Sequence, residues 1–197
     1  MVPDNIFKGV KFMRKDFGKQ TWVLPQVVLI IGTYDKDGKA DVMNAAWGGV
    51  YDANTVMLCL DESHKTTKNI KENKEFTVSF GDVKNLVACD YVGIVSANDD
   101  PDKMKKSGFT TFKSSHVNAP VINELPVALE CKLIKFNEDG IVVGEIINVC
   151  ADESVLGKDG KIDSDKLDLI TFDPIHAAYR KIGEKVGNAF SDGKKLK

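Results

Sequence analysis

Residues 126–152, PVALECKLIKFNEDGIVVGEIINVCAD, constrain this chain more than any other stretch. Two runs rich in apolar residues, near 127–136 and 141–151, flank NEDG, a cluster of turn formers. Long strands joined by so short a link must pair antiparallel as a hairpin. A second unit of the same kind lies earlier, in QVVLIIGTYDKDGKADVMNAAW (26–47), where DKDG at 35–38 is the tight turn. Between them TVMLCLD (55–61) reads as a short strand buried on both faces. EFTVSFG (75–81) alternates, with Phe76, Val78 and Phe80 on one side and Thr77 and Ser79 on a second face that need not be solvent.

Helical signals fill the gaps. KNLVACDYVGIVSAND (84–99) has helical spacing at Leu86, Val87, Tyr91 and Val95. DPDKMKKSG (100–108) reads as a short helix entered through Pro101 and stopped by Gly108. DGKIDSDKLDLITF (159–172) predicts a turn, a short helical piece and a short strand. PIHAAYRKIGEKVGNAF (174–190) predicts a mostly helical end, weakened by Gly183 and Gly187. Strands in hairpins with helices between and after them predict a mainly β, α+β fold, an antiparallel barrel with helical decoration. Neither G-x-G-x-x-G nor G-x-x-x-x-G-K-[ST] occurs, so the usual dinucleotide and P-loop readings fail.

At 197 residues, 43% hydrophobic, one domain spanning 1–197 is expected. A net charge of −2 and a pI near 5.9 predict neither nucleic acid nor an anionic membrane as partner. No apolar run approaches the roughly 20 residues of a membrane helix, and MVPDNIFKGV has no signal-peptide pattern. Cys59, Cys89, Cys131 and Cys150 are far apart and form no C-x-x-C, so free thiols in a reducing cytoplasm are expected. Cys131 and Cys150 fall on different rungs of the long hairpin, which argues against a disulfide between them.

DESHKTTKNI (61–70) leaves a strand through an acidic turn and opens a helix with Ser63 as the expected N-cap and Lys65, Thr66 and Thr67 in its first turn. Capping alone accounts for the serine. A helix start furnished with hydroxyls and a lysine also makes an anion site. NAAWGG (44–49) lies just upstream, and its small residues pack poorly as strand material. Glycine in a strand often marks close approach of a ligand. Together the two segments fit a planar ring that carries a phosphate.

NAAWGG followed by a strand and then by HKTTKNIKENKEFTVSF resembles the flavin reductase-like family of FMN-binding split barrels, in particular its flavoredoxin-like branch. The resemblance continues through SGF, NAPVINELPVALECKL, GEIINVCADESVL and DGKID to the closing Tyr and Gly, from about residue 20 to 193. It implies an antiparallel FMN-binding split β-barrel, a homodimer with one FMN per subunit near the interface. Carried over, Asn44, Ala45, Ala46 and Trp47 would line the isoalloxazine, and Cys59, Leu60 and Asp61 would lie beside the ring or ribityl chain. Ser63, Lys65 and Thr66 would hold the phosphate, with Ser79 reaching the ribityl or phosphate region. Where the family often has an arginine at the phosphate corner, this chain has His64 and Lys65. His116, Tyr91, Tyr179 and Arg180 are candidates to flank the open flavin face. Two functions follow: an oxidoreductase passing electrons from NAD(P)H through FMN to free flavin, an Fe(III) complex or a protein, or an FMN electron carrier serving protein partners.

Overall fold

The computed structural model describes residues 13–196; the N-terminal MVPDNIFKGV, read above for targeting signals, lies outside them. Alternating sequence becomes strand and turn chemistry becomes hairpin, as expected. Strands β2 (Leu29–Tyr34) and β3 (Ala40–Ala45) form the first hairpin, while β1 (Gln26–Val27) just before it pairs instead with a strand near the end of the chain. Its turn is closed by Asp35 Oδ1, which accepts from the main-chain N–H of Asp37 and Lys39 at 3.0 and 2.9 Å. Then follow β4 (Gly48–Asp52), β5 (Thr55–Cys59), α1 (Lys65–Asn73), β6 (Glu75–Phe80), α2 (Leu86–Ile94) and α3 (Lys103–Ser107). Short β7 (Thr111–Lys113) and β8 (Pro120–Ile122) pair with each other. The long hairpin is β9 (Val127–Phe136) with β10 (Ile141–Ala151), and β11 (Ile170–Asp173) with β12 (Ala178–Lys181) ends the strands.

Seven strands make one antiparallel sheet in the order β3-β2-β6-β9-β10-β5-β4. Its two edges, β3 and β4, are consecutive in the chain and separated only by Ala46 and Trp47. Three Cα–Cα steps reach at most about 11 Å, so the sheet curls until its edges nearly meet: a split barrel. Inside lies a core of Leu29, Ile31, Val56, Leu58, Phe76, Val78 and Val142, plugged by Ile70 of α1. Outside, α2 and α3 cover a second core that includes Val28, Ile30, Val42, Cys89, Val92 and Phe109. β6 is therefore buried on both faces, and Thr77 and Ser79 are fully buried. Among the described residues no helix is long and apolar enough to cross a membrane.

Cys131 pairs with Ile146 and Cys150 with Ala128, on different rungs as expected, and all four thiols are free. Burial pushes Cys89 and Cys131 up to about 12, so neither is a thiolate at neutral pH.

Four expectations are corrected. β5 is not buried on both faces; Val56 and Leu58 point inward while Met57 is half-buried and Cys59 exposed, because only the barrel side is covered. The helix over 84–99 shortens to α2, and Val87 is 79% exposed while Cys89 and Val92 are buried. Ser63 does not cap α1: His64 is the N-cap, and no side chain among the described residues caps the helix. The expected C-terminal helix is instead strand β12 and an irregular tail with a short 3-10 turn at Asp192–Leu196. β11 offers an open ladder to residues 178–181, and Gly183 and Gly187 remove the helical propensity that would compete.

Candidate functional site

The bridge from β3 to β4, the end of β5 and the start of α1 meet at one corner. Cys59 N–H donates to the Trp47 carbonyl at 2.8 Å, which sets the end of β5 beside the bridge. Leu60, buried, donates its N–H to Gly140 at 2.8 Å. Asp61 Oδ1 accepts from both the N–H and the hydroxyl of Ser63, at 2.8 and 2.6 Å, and the Asp61 carbonyl accepts from Thr67 Oγ1. The Ser63 hydroxyl and then its N–H hold the Asp61 carboxyl below the usual range. These bonds bring the main chain of Trp47, Cys59, Asp61 and Ser63 to one corner, whereas the side chains of Ala45 and Leu60 belong to the barrel core and are not available to a ring as expected. Ser79 stands apart, between Ile30 and Ala128 on neighbouring strands, and its buried Oγ has no hydrogen-bond partner among the described residues.

A cleft of about 210 Å3 opens between the start of α1 and the end of α2; Asn44, His64, Lys65, Thr66 and Lys103 contribute to its walls, with residues 92–97 opposite. Asn98 Nδ2 ties the loop after α2 to the Ser63 carbonyl at 3.1 Å. The uncapped first turn of α1 contains no acidic residue, so its N–H groups and positive dipole end are left for a ligand. Lys65 Nζ is 3.4 Å from Asp35 Oδ2 at the cleft margin. Deeper, Lys103 Nζ is 3.3 Å from Asp41 Oδ1, with both side chains only 3% exposed. Burial pulls the Lys103 ammonium below its usual range against the opposing pull of Asp41.

The hydroxyls of the corner are already committed. Thr66 Oγ1 donates to Asp41 Oδ2 at 2.7 Å, and the Ser63 hydroxyl donates to Asp61. The donors left for an anion are main-chain N–H groups, His64, Lys65 and the remaining ammonium protons of Lys103. That set fits a phosphate by charge rather than by hydroxyls. Sequence reasoning missed Lys103, which reaches Asp41 across 62 residues of chain from a short helix given no part in the site.

Trp47 does not fill a core; it is 58% exposed at the slit between the sheet edges. Asn44 is pinned: Nδ2 donates to the Cys89 carbonyl of α2 at 2.9 Å and to the Tyr179 hydroxyl at 3.4 Å. The other flanking candidates are engaged elsewhere. His116 Nδ1 is 3.0 Å from buried Glu130, which also accepts from Ser114 and Asn148. Tyr91 donates to Asp100 at 3.4 Å, and Arg180 Nε to Asp173 at 2.7 Å on β11.

Residues 22–166 match the family described as flavin reductase like domain. Flavoredoxin of Desulfovibrio vulgaris (Miyazaki F) superposes with a TM-score of 0.88 at 36% identity, covering 92% of this chain and 100% of that one. Flavoredoxin from Methanosarcina acetivorans gives 0.80 at 29% identity, covering 95% and 100%. An FMN-binding domain of a flavin reductases-like enzyme from Shewanella baltica OS155 gives 0.71 at 25% identity, covering 83% and 89%.

Proposed function

The chain belongs to the flavin reductase-like domain family, and on that premise we propose that it binds FMN at this corner and works as an oxidoreductase drawing electrons from NAD(P)H. The observation that carries the reading is the uncapped, acid-free start of α1, opening into a cleft lined by the Lys65 and Lys103 ammonium groups and the His64 imidazole. Those groups would hold the phosphate. Lysine acts there as a point charge without the fork of an arginine.

When bound, FMN supplies the redox chemistry, and the protein supplies position and electrostatics. Lys103 offsets the buried Asp41 carboxylate, which would otherwise repel a phosphate. Asn44 would offer a polar contact to the ring, with the exposed Trp47 and Cys59, whose main chains are hydrogen-bonded to each other, nearby at the sheet edge. No side chain is assigned a proton-transfer role.

A cleft of about 210 Å3 is below the roughly 300 Å3 at the low end of ligand pockets. It accommodates part of the cofactor, and the exposed Trp47, Val50 and Tyr51 around the slit are suited to a second copy of the chain that covers the rest. A homodimer belongs to the proposal on that ground. The likeness to two flavoredoxins supports a second reading, an FMN electron carrier that exchanges electrons with protein partners.

An anaerobic absorbance spectrum of the purified protein, taken before and after NADH or NADPH, tests both. Flavin bands that bleach support the reductase. Bands that persist with both nucleotides but bleach with a protein donor favour the carrier. No bands after incubation with FMN would refute the cofactor site.

A further inference from the structure

The side chain of Asn44 is held in one orientation by a relay that begins 135 residues away. Its Nδ2 donates to the Cys89 carbonyl at 2.9 Å and to the Tyr179 hydroxyl at 3.4 Å. The Tyr179 hydroxyl gives its single proton to Asp90 Oδ1 at 2.8 Å. Towards Asn44 it can therefore only accept, as the main-chain carbonyl must. Both partners of the amide are acceptors, so the NH2 has to face them, and the alternative flip would set oxygen against oxygen. Burial, with Asp90 second, pushes the Tyr179 phenol up to about 12, so the proton is present at neutral pH.

Helix α2 also clamps the residue sterically. A Cβ at Gly93 would lie 3.0 Å from Asn44 Cβ, so the missing side chain lets the helix settle onto the asparagine. Asn44 lines the cleft, and among the described residues none donates to its Oδ1.

We propose that Tyr179 and Asp90 are positioning residues for the cofactor: by fixing the Asn44 amide they present an acceptor, and only an acceptor, to a ring N–H of the isoalloxazine. The proposal rests on the FMN reading above. It assigns β12 a part in the site, though β12 belongs to the small sheet outside the barrel. A carbonyl oxygen fixed in this way favours the protonated ring nitrogen over a bare nitrogen or carbonyl at that place. The contact is made to the ring and is therefore indifferent to the phosphate.

The test is a double-mutant cycle on the full chain, read by flavin fluorescence quenching and by the visible spectrum of the bound flavin. Tyr179→Phe is expected to weaken FMN and riboflavin alike, by roughly fivefold to tenfold, the worth of one hydrogen bond, and to shift the flavin bands. In an Asn44→Ala background the same substitution should have no further effect on either ligand. Asp90→Ala, which releases the Tyr179 proton, should move binding and spectrum in the same direction, and it covers the case in which Tyr179→Phe fails to fold. Wild-type affinity and spectrum in Tyr179→Phe, or an undiminished effect without Asn44, would overturn the relay while leaving the FMN reading intact. Wild-type protein that binds neither flavin would overturn both.

Discussion

Thr66 Oγ1 lies 2.7 Å from Asp41 Oδ2, and this bond fastens the first turn of α1 to the edge strand β3. Lys103 Nζ completes the group from α3, 3.3 Å from the other carboxylate oxygen, and all three residues are at most 2% exposed. Removing one partner of a buried ion pair strands the other charge. Lys103→Met is expected to destabilise the fold by about 3–5 kcal/mol. Adding Asp41→Asn should recover most of the loss, since a neutral amide still accepts from Thr66. Urea unfolding of the three proteins checks this; a single Lys103→Met as stable as wild type would mean that the pair is hydrated in solution.

Ligand discrimination tests the phosphate corner. Lys65→Ala is expected to weaken FMN by about 1.5–3 kcal/mol, the range for hydrogen bonds to charged groups. Riboflavin, which has no phosphate, should bind as before. Ser63→Ala should leave FMN affinity unchanged, because its hydroxyl serves Asp61. Titration with both flavins decides, and equal losses for the two ligands with Lys65→Ala would remove that lysine from the phosphate.

In the barrel core, Gly144 exists because Phe76 needs its space. A Cβ there would lie 2.9 Å from Phe76 Cε1 and closer still to Cζ, and Phe76 is fully buried. Gly144→Ala should cost about 1–3 kcal/mol through overpacking, a fall of roughly 2–12 °C in Tm for a chain of this size. Calorimetry reads it directly, and an unchanged Tm would show that the ring can tilt aside.

Acid should loosen the β11–β12 sheet through Asp173. Arg180 Nε at 2.7 Å, and then His176 Nδ1 at 3.0 Å, hold its carboxyl well below the ordinary value of 3.8. A carboxyl lowered in the folded state binds fewer protons than in the unfolded chain. Its contribution is thus complete above that ordinary value and is lost as pH falls below it. Asp173→Asn should lower stability at neutral pH and flatten the acid limb of the stability profile. An unaltered limb would assign acid sensitivity to other carboxylates.

The parts of this fold visible in the sequence were those written in local chemistry. The turns at DKDG and NEDG and the alternation of EFTVSFG each fix a strand without help from distant residues. PIHAAYRKIGEKVGNAF misleads because its apolar spacing suits a helix, while the strand at Ala178–Lys181 forms only when β11 is there to pair with it. The site divides the same way. Asn44, Lys65 and Thr66 come from two neighbouring segments and are legible. Lys103 and Asp90 went unread, and Tyr179, named only as a flank of the flavin face, reaches Asn44 from across the chain through a contact that no periodicity encodes.

The two residues between β3 and β4 have a topological consequence. Ala46 and Trp47 act as a stitch that keeps the opposite margins of one sheet facing each other. A protease that cut this stitch would leave the seven strands paired while letting the cylinder splay. Each freed margin would then be a bare ladder, able to recruit a strand from another molecule. The exposed Trp47 thus also marks where a single backbone break would turn a closed barrel into a seed for polymerisation.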